Sequence, residues 1–396
     1  GPTNCGPAMA FNAVGTIVKA FLDPKTPINN GSFNPIKVKA PKKSFINARE
    51  TAPCGGMAEV KFLIDSVVAA AMGQVVPEMS VGDLKGGANH IHIAGPRDGG
   101  GTYIHYEWPA GGTGASAGVD GSNAVRSYNE GDFNSIQSAE TVESQYPLRI
   151  ERCEIRNGGC GDGANRGGFG LRRDIKVLDE TAMLSVLSEK NVIPPYGVAG
   201  GSNGAANRFV VVRKGKVIQP SDVPGKVSGF ALQTGDLVRE ETAGGGGFGD
   251  PLNRDPALVA DDVRLEYLTA EQAEARYGTV FGSDGRVDAA STSAKRVALA
   301  GARVTATLEI SNEDDIDGPC RRIAVPKALA GDLNILDGGL VELRGKTVAP
   351  LRGWARIVDV TSSVISLGPT GMRLLGTDPG DQVEIRAVQA APEGVV

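Results

Sequence analysis

An α+β fold, mainly antiparallel β with a few buried helices plus a small C-terminal β-barrel-like module, follows from three observations on the sequence. Residues 146–242 carry successive strand patterns, YPLRIERCEI, GLRRDIKVL, RFVVVRKGKVI and DLVREET, each bounded by glycine or proline as antiparallel strands are. Two stretches near the start, 8–22 and 60–76, read as helices with buried faces. Beyond residue 338, GGLVELRGKTVAPLRGWARIVDV and MRLLGTDPGDQVEIRAV alternate apolar and polar residues, with a Pro-Gly turn inside the second.

In chain order, the first helix places Met9, Phe11, Val14, Ile17, Val18 and Phe21 near a 3.6-residue period. A loop with Pro24, Pro27, Asn29, Asn30 and Gly31 follows, and IKVKAP reads as a short strand. VKFLIDSVVAAAMGQVV, from Val60, is apolar almost all round and is expected to be buried. Residues 82–132 are glycine-rich, with β-like runs HIHIAG and TYIHYEW. A helical pair is expected over 256–278: Asp255 caps the first helix, Thr269 and Gln272 make a capping box for the second, and Gly278 ends it. The expected divisions are a region 1–285, a linker 286–314 whose VDAASTSAKRVALAGAR reads as linker or helix and which runs into the solvated acidic stretch SNEDDIDG, and a β module 315–396.

A length of 396 residues is long for one core. The net charge of −5 and pI near 5.5 argue against a nucleic-acid surface. No apolar run approaches the roughly 18 residues of a membrane helix. Five scattered cysteines lack the paired spacing of a zinc site, so reduced thiols and a cytoplasmic location are expected. Cys153, within an alternating strand, is expected in the core, and Cys160, between two glycines, is expected at the surface.

TAGGGGFGDPLNRDPALVADDV, residues 242–263, poses the question of a phosphate cradle, because glycine lets amides approach an anion. Asp250 and Pro251 stand where such a loop needs donors and no negative charge. A sharp connection between a strand ending near Glu241 and the helix capped by Asp255 is the preferred reading.

The same stretch resembles the C-terminal signature of the hydantoinase B, oxoprolinase and acetone (acetophenone) carboxylase family. INNGSFNPIKVKAP, EWPAGGTGASAGVDG, YPLRIERCEIRNGGCGDGANRGGFG and PPYGVAGG agree with that family in the same order, covering residues 1 to about 285. The resemblance implies a subunit working with a hydantoinase A-like partner that carries ATP and Mg2+. Its substrate would be a small molecule: a cyclic amide such as a hydantoin, an oxoproline or a lactam, or a ketone to be carboxylated. It also implies an N-terminal portion with Asn-Asp-Pro and Gly-Thr-His elements holding a divalent metal, zinc or manganese. Those elements are not in this sequence, so a complementing N-terminal portion of the B-type subunit is an expected partner. A non-catalytic scaffold in such a complex is the alternative from another class.

The candidate catalytic residues are Glu107 and Asp120, which sit in the glycine-flanked motifs EWPAGG and VDG. A partly buried carboxylate there can act as general acid or base, and can equally cap a turn, Asp120-Gly121 reading well as a hairpin turn. Asn4, Asn29 and Arg166 are the candidate substrate-binding residues, a guanidinium being able to hold a carboxylate or phosphate, although an arginine before a glycine pair more often anchors neighbouring strands. His90 and His92 fall on one side of a strand, with His105 and Glu107 nearby in sequence, as metal ligands could. Strand histidines facing solvent or bonding to carbonyls are the preferred reading, and no metal ligand is assigned in this chain.

Overall fold

A computed structural model describes residues 2–97, 99–125, 136–312, 315–317, 320–360 and 362–388. The sequence-defined acidic stretch and the end of the β module fall partly outside these residues. The chain opens with α1 (Pro7–Leu22), a short α2 (Asn30–Phe33) and α3 (Met57–Val75). α1 buries Ala10, Ala13, Ile17 and Phe21, whereas Phe11 is exposed. The smaller residues face in because α3 approaches closely, through Val60 and Ala69. α3 itself is less buried than its composition suggests, with Val67 and Val75 open to solvent.

A sandwich of two antiparallel sheets follows, built from β1 (His90–Pro96), β2 (Thr102–Glu107), β3 (Leu148–Ile155), β4 (Leu171–Val177), β5 (Thr181–Leu187), β6 (Arg208–Arg213), β7 (Lys216–Ile218), β8 (Lys226–Gln233) and β9 (Leu237–Glu241). One sheet runs β2-β1-β5-β8 and the other β3-β4-β9-β6-β7, and α4 (Ala139–Gln145) leads into β3. Their inner faces share one core, including Ile91, Ile93, Leu184, Ile175, Phe209, Val211 and Val238. Alternation along each strand supplies this face.

Against the sandwich lies a bundle of extended glycine-rich segments, drawn from residues 82–85, 111–122, 160–170, 195–204 and 243–249. At its centre, Gly245, Gly246 and Gly247 donate to Gly168, Asp83 and Ser202, and accept from Gly161, Ala115 and Val198. Three successive residues thus bond to different neighbours, the arrangement that a three-residue-per-turn extended helix permits. None of Gly244 to Gly247 has positive φ. Glycine is required for closeness instead: a Cβ on Gly245 would lie 1.8 Å from the Thr113 carbonyl oxygen, and one on Gly246 1.8 Å from that of Tyr196. The stretch therefore connects β9 to the next helix, as expected, and also forms the core of this bundle.

The helical pair is α5 (Pro256–Arg264), capped by Asp255, and α6 (Ala270–Tyr277), with the Thr269/Gln272 capping box and Gly278 in the left-handed region. Of 286–314, VDAASTSAKRVALAGAR is the helix of the two readings, α7 (Ala289–Gly301), and β10 (Thr305–Ile310) adds a strand that the linker reading lacked. An Asp288 cap on an alanine-rich run accounts for the helix, and TATLEI alternates as a strand does.

β10 joins β11 (Ile316–Asp317), β12 (Cys320–Pro326), β13 (Leu340–Arg344), β14 (Leu351–Val358), β15 (Val364–Leu367) and β16 (Gln382–Ala387) in a mixed sheet ordered β11-β12-β14-β13-β16-β10-β15, with α8 (Lys327–Asp332) and α9 (Pro369–Leu375). Leu308, Ile323, Val341, Leu343, Ala355, Ile365, Val383 and Ile385 meet in one core, as in a sheet curled on itself. The C-terminal module is docked on the glycine bundle. Buried Glu342 accepts from Arg344 Nε and Arg352 Nε, each at 3.0 Å. Arg344 donates to the carbonyls of Gly200 and Gly201, and Arg352 to Pro194 O (2.7 Å) and Asn203 Oδ1.

Candidate functional site

Strand β2 sends alternate side chains to the two faces of its sheet. Inward go His105 and Glu107, opposite Arg173 of β4 and Glu240 of β9, which are register partners. Arg173 Nε stands 3.5 Å from Glu107 Oε1, and His105 Nε2 3.6 Å from Glu107 Oε2. Arg173 Nη2 donates to Gln137 O at 2.9 Å. All four side chains are buried, and neither carboxyl group has a hydrogen-bond donor among neighbouring N–H and O–H groups. A proton on one carboxyl supplies the missing donor. Burial, reinforced by the charge of Glu107, pushes the Glu240 carboxyl well above the usual range. Burial also lowers the His105 pKa; Arg173 adds to that effect and Glu107 opposes it. The cluster is thus arranged to keep a proton on Glu240 and a neutral imidazole beside it, with Arg173 facing the negative charge that remains.

Outward go Tyr106 and, just beyond the strand, Trp108. The His92 ring stacks on Tyr106 at 4.3 Å between centroids, and His90 meets Trp108 edge-on at 4.9 Å. The preferred reading, strand histidines facing solvent or bonding to carbonyls, therefore gives way to an aromatic cluster. Among the described residues no group of three or more His, Cys, Asp or Glu side chains could hold a metal ion. At the inner cluster the Arg173 cation would also oppose one. The divalent metal implied by the family resemblance does not fit the described residues of this chain.

The five sequence-predicted residues fall in separate places. Glu107 belongs to the buried cluster. Asp120 and Arg166 come together elsewhere: Arg254 Nη1 and Nη2 donate to Asp120 Oδ1 and Oδ2 at 2.8 Å each, and Arg166 Nε to Asp262 Oδ1 at 3.0 Å. Arg254 also bonds Asp262 at 2.9 Å, so this network ties α5 to the glycine bundle. The turn lies at 116–119, with Gly118 at φ 76°, rather than at Asp120-Gly121. Asn4 Nδ2 donates to Pro53 O at 2.9 Å, and exposed Asn29 caps α2 through Ser32 N–H. Glu240 and Arg173 escaped sequence reasoning although a signal existed. Alternation in GLRRDIKVL and DLVREET puts each on the side of its strand that carries the apolar residues.

The cysteines also reverse expectation. Cys153 is exposed because β3 is a sheet edge, and Cys160 is buried in the glycine bundle, where its thiol is pushed up to about 12. The glycine stretch offers no phosphate cradle, since the amides of Gly245 to Gly249 all donate to protein carbonyls.

Residues 1–251 match the Hydantoinase B/oxoprolinase family. The chain belongs to that family. Among its relatives, the B-type subunit of a putative D-/L-hydantoinase from Pseudomonas sp. (strain NS671) is 28% identical over 263 residues, covering 66% of this chain and 43% of the relative. The beta subunit of the Pseudomonas jessenii caprolactamase is 30% identical over 292 residues, covering 70% and 49%. The chain thus spans about half the length of these relatives. In three dimensions it is similar to the ATP-dependent caprolactamase of Pseudomonas jessenii (TM-score 0.61, 25% identity, 73% of this chain and 51% of that one). Nucleotide-free acetone carboxylase shares the fold (TM-score 0.64, 20% identity, 76% and 45%). Among the described residues no helix is long and apolar enough to cross a membrane.

Proposed function

We propose that the chain is a subunit of an ATP-dependent cyclic amide hydrolase of the hydantoinase, oxoprolinase or lactamase type. The observation that carries this reading is the similarity to the caprolactamase beta subunit, 30% over 292 residues. The implied partner is a hydantoinase A-like subunit. ATP with Mg2+ bound there would supply a phosphoryl group to the amide oxygen, which makes an unreactive ring carbonyl open to attack. The divalent metal and the complementing N-terminal portion belong outside this chain in this reading, and the location is cytoplasmic. The role assigned to this chain is proton handling: Glu107 and Glu240 hold one proton between them and release it, while Arg173 balances the charge that remains.

A ketone carboxylase subunit is the second reading, favoured by the fold shared with acetone carboxylase. Co-purification with an A-type subunit, followed by ATP turnover on hydantoin, 5-oxoproline, caprolactam, and acetone with bicarbonate, separates the two. Ring opening on a cyclic amide is the expected result, falling about 100-fold or more in Glu107→Gln. ATP use only with acetone and bicarbonate would favour carboxylation. Turnover untouched by Glu107→Gln would remove the buried cluster from the chemistry.

A further inference from the structure

The outer face of β2 carries a second constellation, separate from the buried carboxyl pair and independent of the reaction proposed above. Tyr106 Oη lies 2.6 Å from His90 Nδ1 and also receives the Trp108 indole N–H. An indole nitrogen only donates, so it takes one lone pair of the phenol oxygen, and the phenol proton can turn toward His90 Nδ1. In that arrangement the imidazole carries its hydrogen on Nε2. Nε2 in turn faces Glu59 Oε1 at 3.7 Å. Glu59 is fully buried in the first turn of α3, and its Oε1 is held by the Asn89 N–H at 2.9 Å. A spacing of 3.7 Å is long for a hydrogen bond, but catalytic contacts are often loose before a ligand binds. Tyr106 itself is 38% exposed, so the site opens to solvent.

We propose that Tyr106 is a nucleophile activated by His90 and Glu59, at a site that takes a small acyl compound with a flat ring. The order of groups, carboxylate, imidazole and hydroxyl, is the one by which a weak oxygen nucleophile is activated. A flat ring suits the site because the rings of His92 and Trp108 border it. In the step, Tyr106 Oη forms a bond to the acyl carbon and the bond to the leaving oxygen breaks. The phenol proton passes to His90 Nδ1, and the carboxylate of Glu59 stabilises the imidazolium. Burial raises the Glu59 carboxyl to about 7, against the opposing charge of Lys85. Its ionisation is therefore poised near neutral pH.

The test uses p-nitrophenyl acetate on the full chain, following nitrophenolate release and mapping acetyl groups by peptide mass. The balanced products are O-acetyl-Tyr106 and p-nitrophenolate, with one proton released. Acetylation of Tyr106 should outpace that of the other six tyrosines about 100-fold and vanish in Tyr106→Phe. His90→Ala should lose that advantage and regain part of it with added imidazole, which a merely structural histidine would not do. If His90→Ala fails to fold, Glu59→Gln provides the second arm, with Tyr106 acetylation at least about tenfold slower. Acetylation of Tyr106 at the rate of the other tyrosines, or a rate unchanged by His90→Ala or by a folded Glu59→Gln, overturns the proposal.

Discussion

The glycine bundle and the C-terminal module are both cores, built on opposite terms. In the module, buried Leu, Ile and Val side chains fill the space between strands, and the tolerance is set by side-chain volume. In the bundle the space between backbones is nearly nil: Gly112 lies where a Cβ would be 1.9 Å from Gly168 O, and Gly114 where one would be 1.6 Å from Gly82 O. Its cohesion comes from backbone hydrogen bonds between segments far apart in sequence. The lesson is that a glycine count alone says nothing about flexibility. These glycines mark some of the most closely packed backbone in the molecule.

The largest test of that contrast is Gly245→Ala. With the Thr113 carbonyl 1.8 Å from the added carbon, backbone must move, and a loss of about 3 kcal/mol or more is expected by urea denaturation. A loss below about 1 kcal/mol would mean the bundle can spread. Next comes Glu342→Gln at the joint between the two regions. It leaves Arg344 and Arg352 without their buried anion and should cost about 3 kcal/mol, splitting unfolding into two transitions as the module comes away.

Acid supplies a milder version of the same break. Burial raises the Glu342 carboxyl, but Arg352 and Arg344 outweigh it and hold the pKa below the ordinary 4.5. A depressed carboxyl contributes stability that is present above the unfolded value and lost as pH falls through the folded one. The wild-type joint should therefore hold near pH 5 and loosen below about 4.5, a dependence that Glu342→Gln should lack. The smallest effect is the reverse in sign. Gly331 of α8 has nothing within 4 Å of a would-be Cβ and no positive φ, so Gly331→Ala should stabilise the module by about 0.5–1 kcal/mol.

Local chemistry was legible in the sequence, and long-range partnership was not. The alternation of YPLRIERCEI and DLVREET and the caps at Asp255 and Thr269 identify elements because each signal lies within a few residues. The bundle is different, since the partner of Gly246 is Asp83 and no periodicity links the two. The same holds at the candidate sites. Glu107 stood out by its motif, yet its meeting with Glu240 and Arg173 depends on how two sheets pack. Asp120 reads as chemistry because glycines flank it, and Arg166 because a guanidinium can hold an anion, although the glycine pair after it already favours an anchor. Their partners Arg254 and Asp262, which give them an anchoring geometry, lie 134 and 96 residues on.

The bundle also dictates an order of events during folding. The backbone hydrogen bonds of the central piece, 243–249, all run to other segments, so it cannot hold its shape alone. It is also the last of the five to be synthesised. Until it arrives, the amides that it will satisfy in three of the earlier segments, and the Asp83 carbonyl in the fourth, have only water as partner. Loop closure across more than a hundred and fifty residues, from Asp83 to Gly246, must then precede any return in hydrogen bonds. The nascent chain thus carries its least protected backbone for the longest time, and closing this bundle is the step at which slow refolding and self-association are expected to begin.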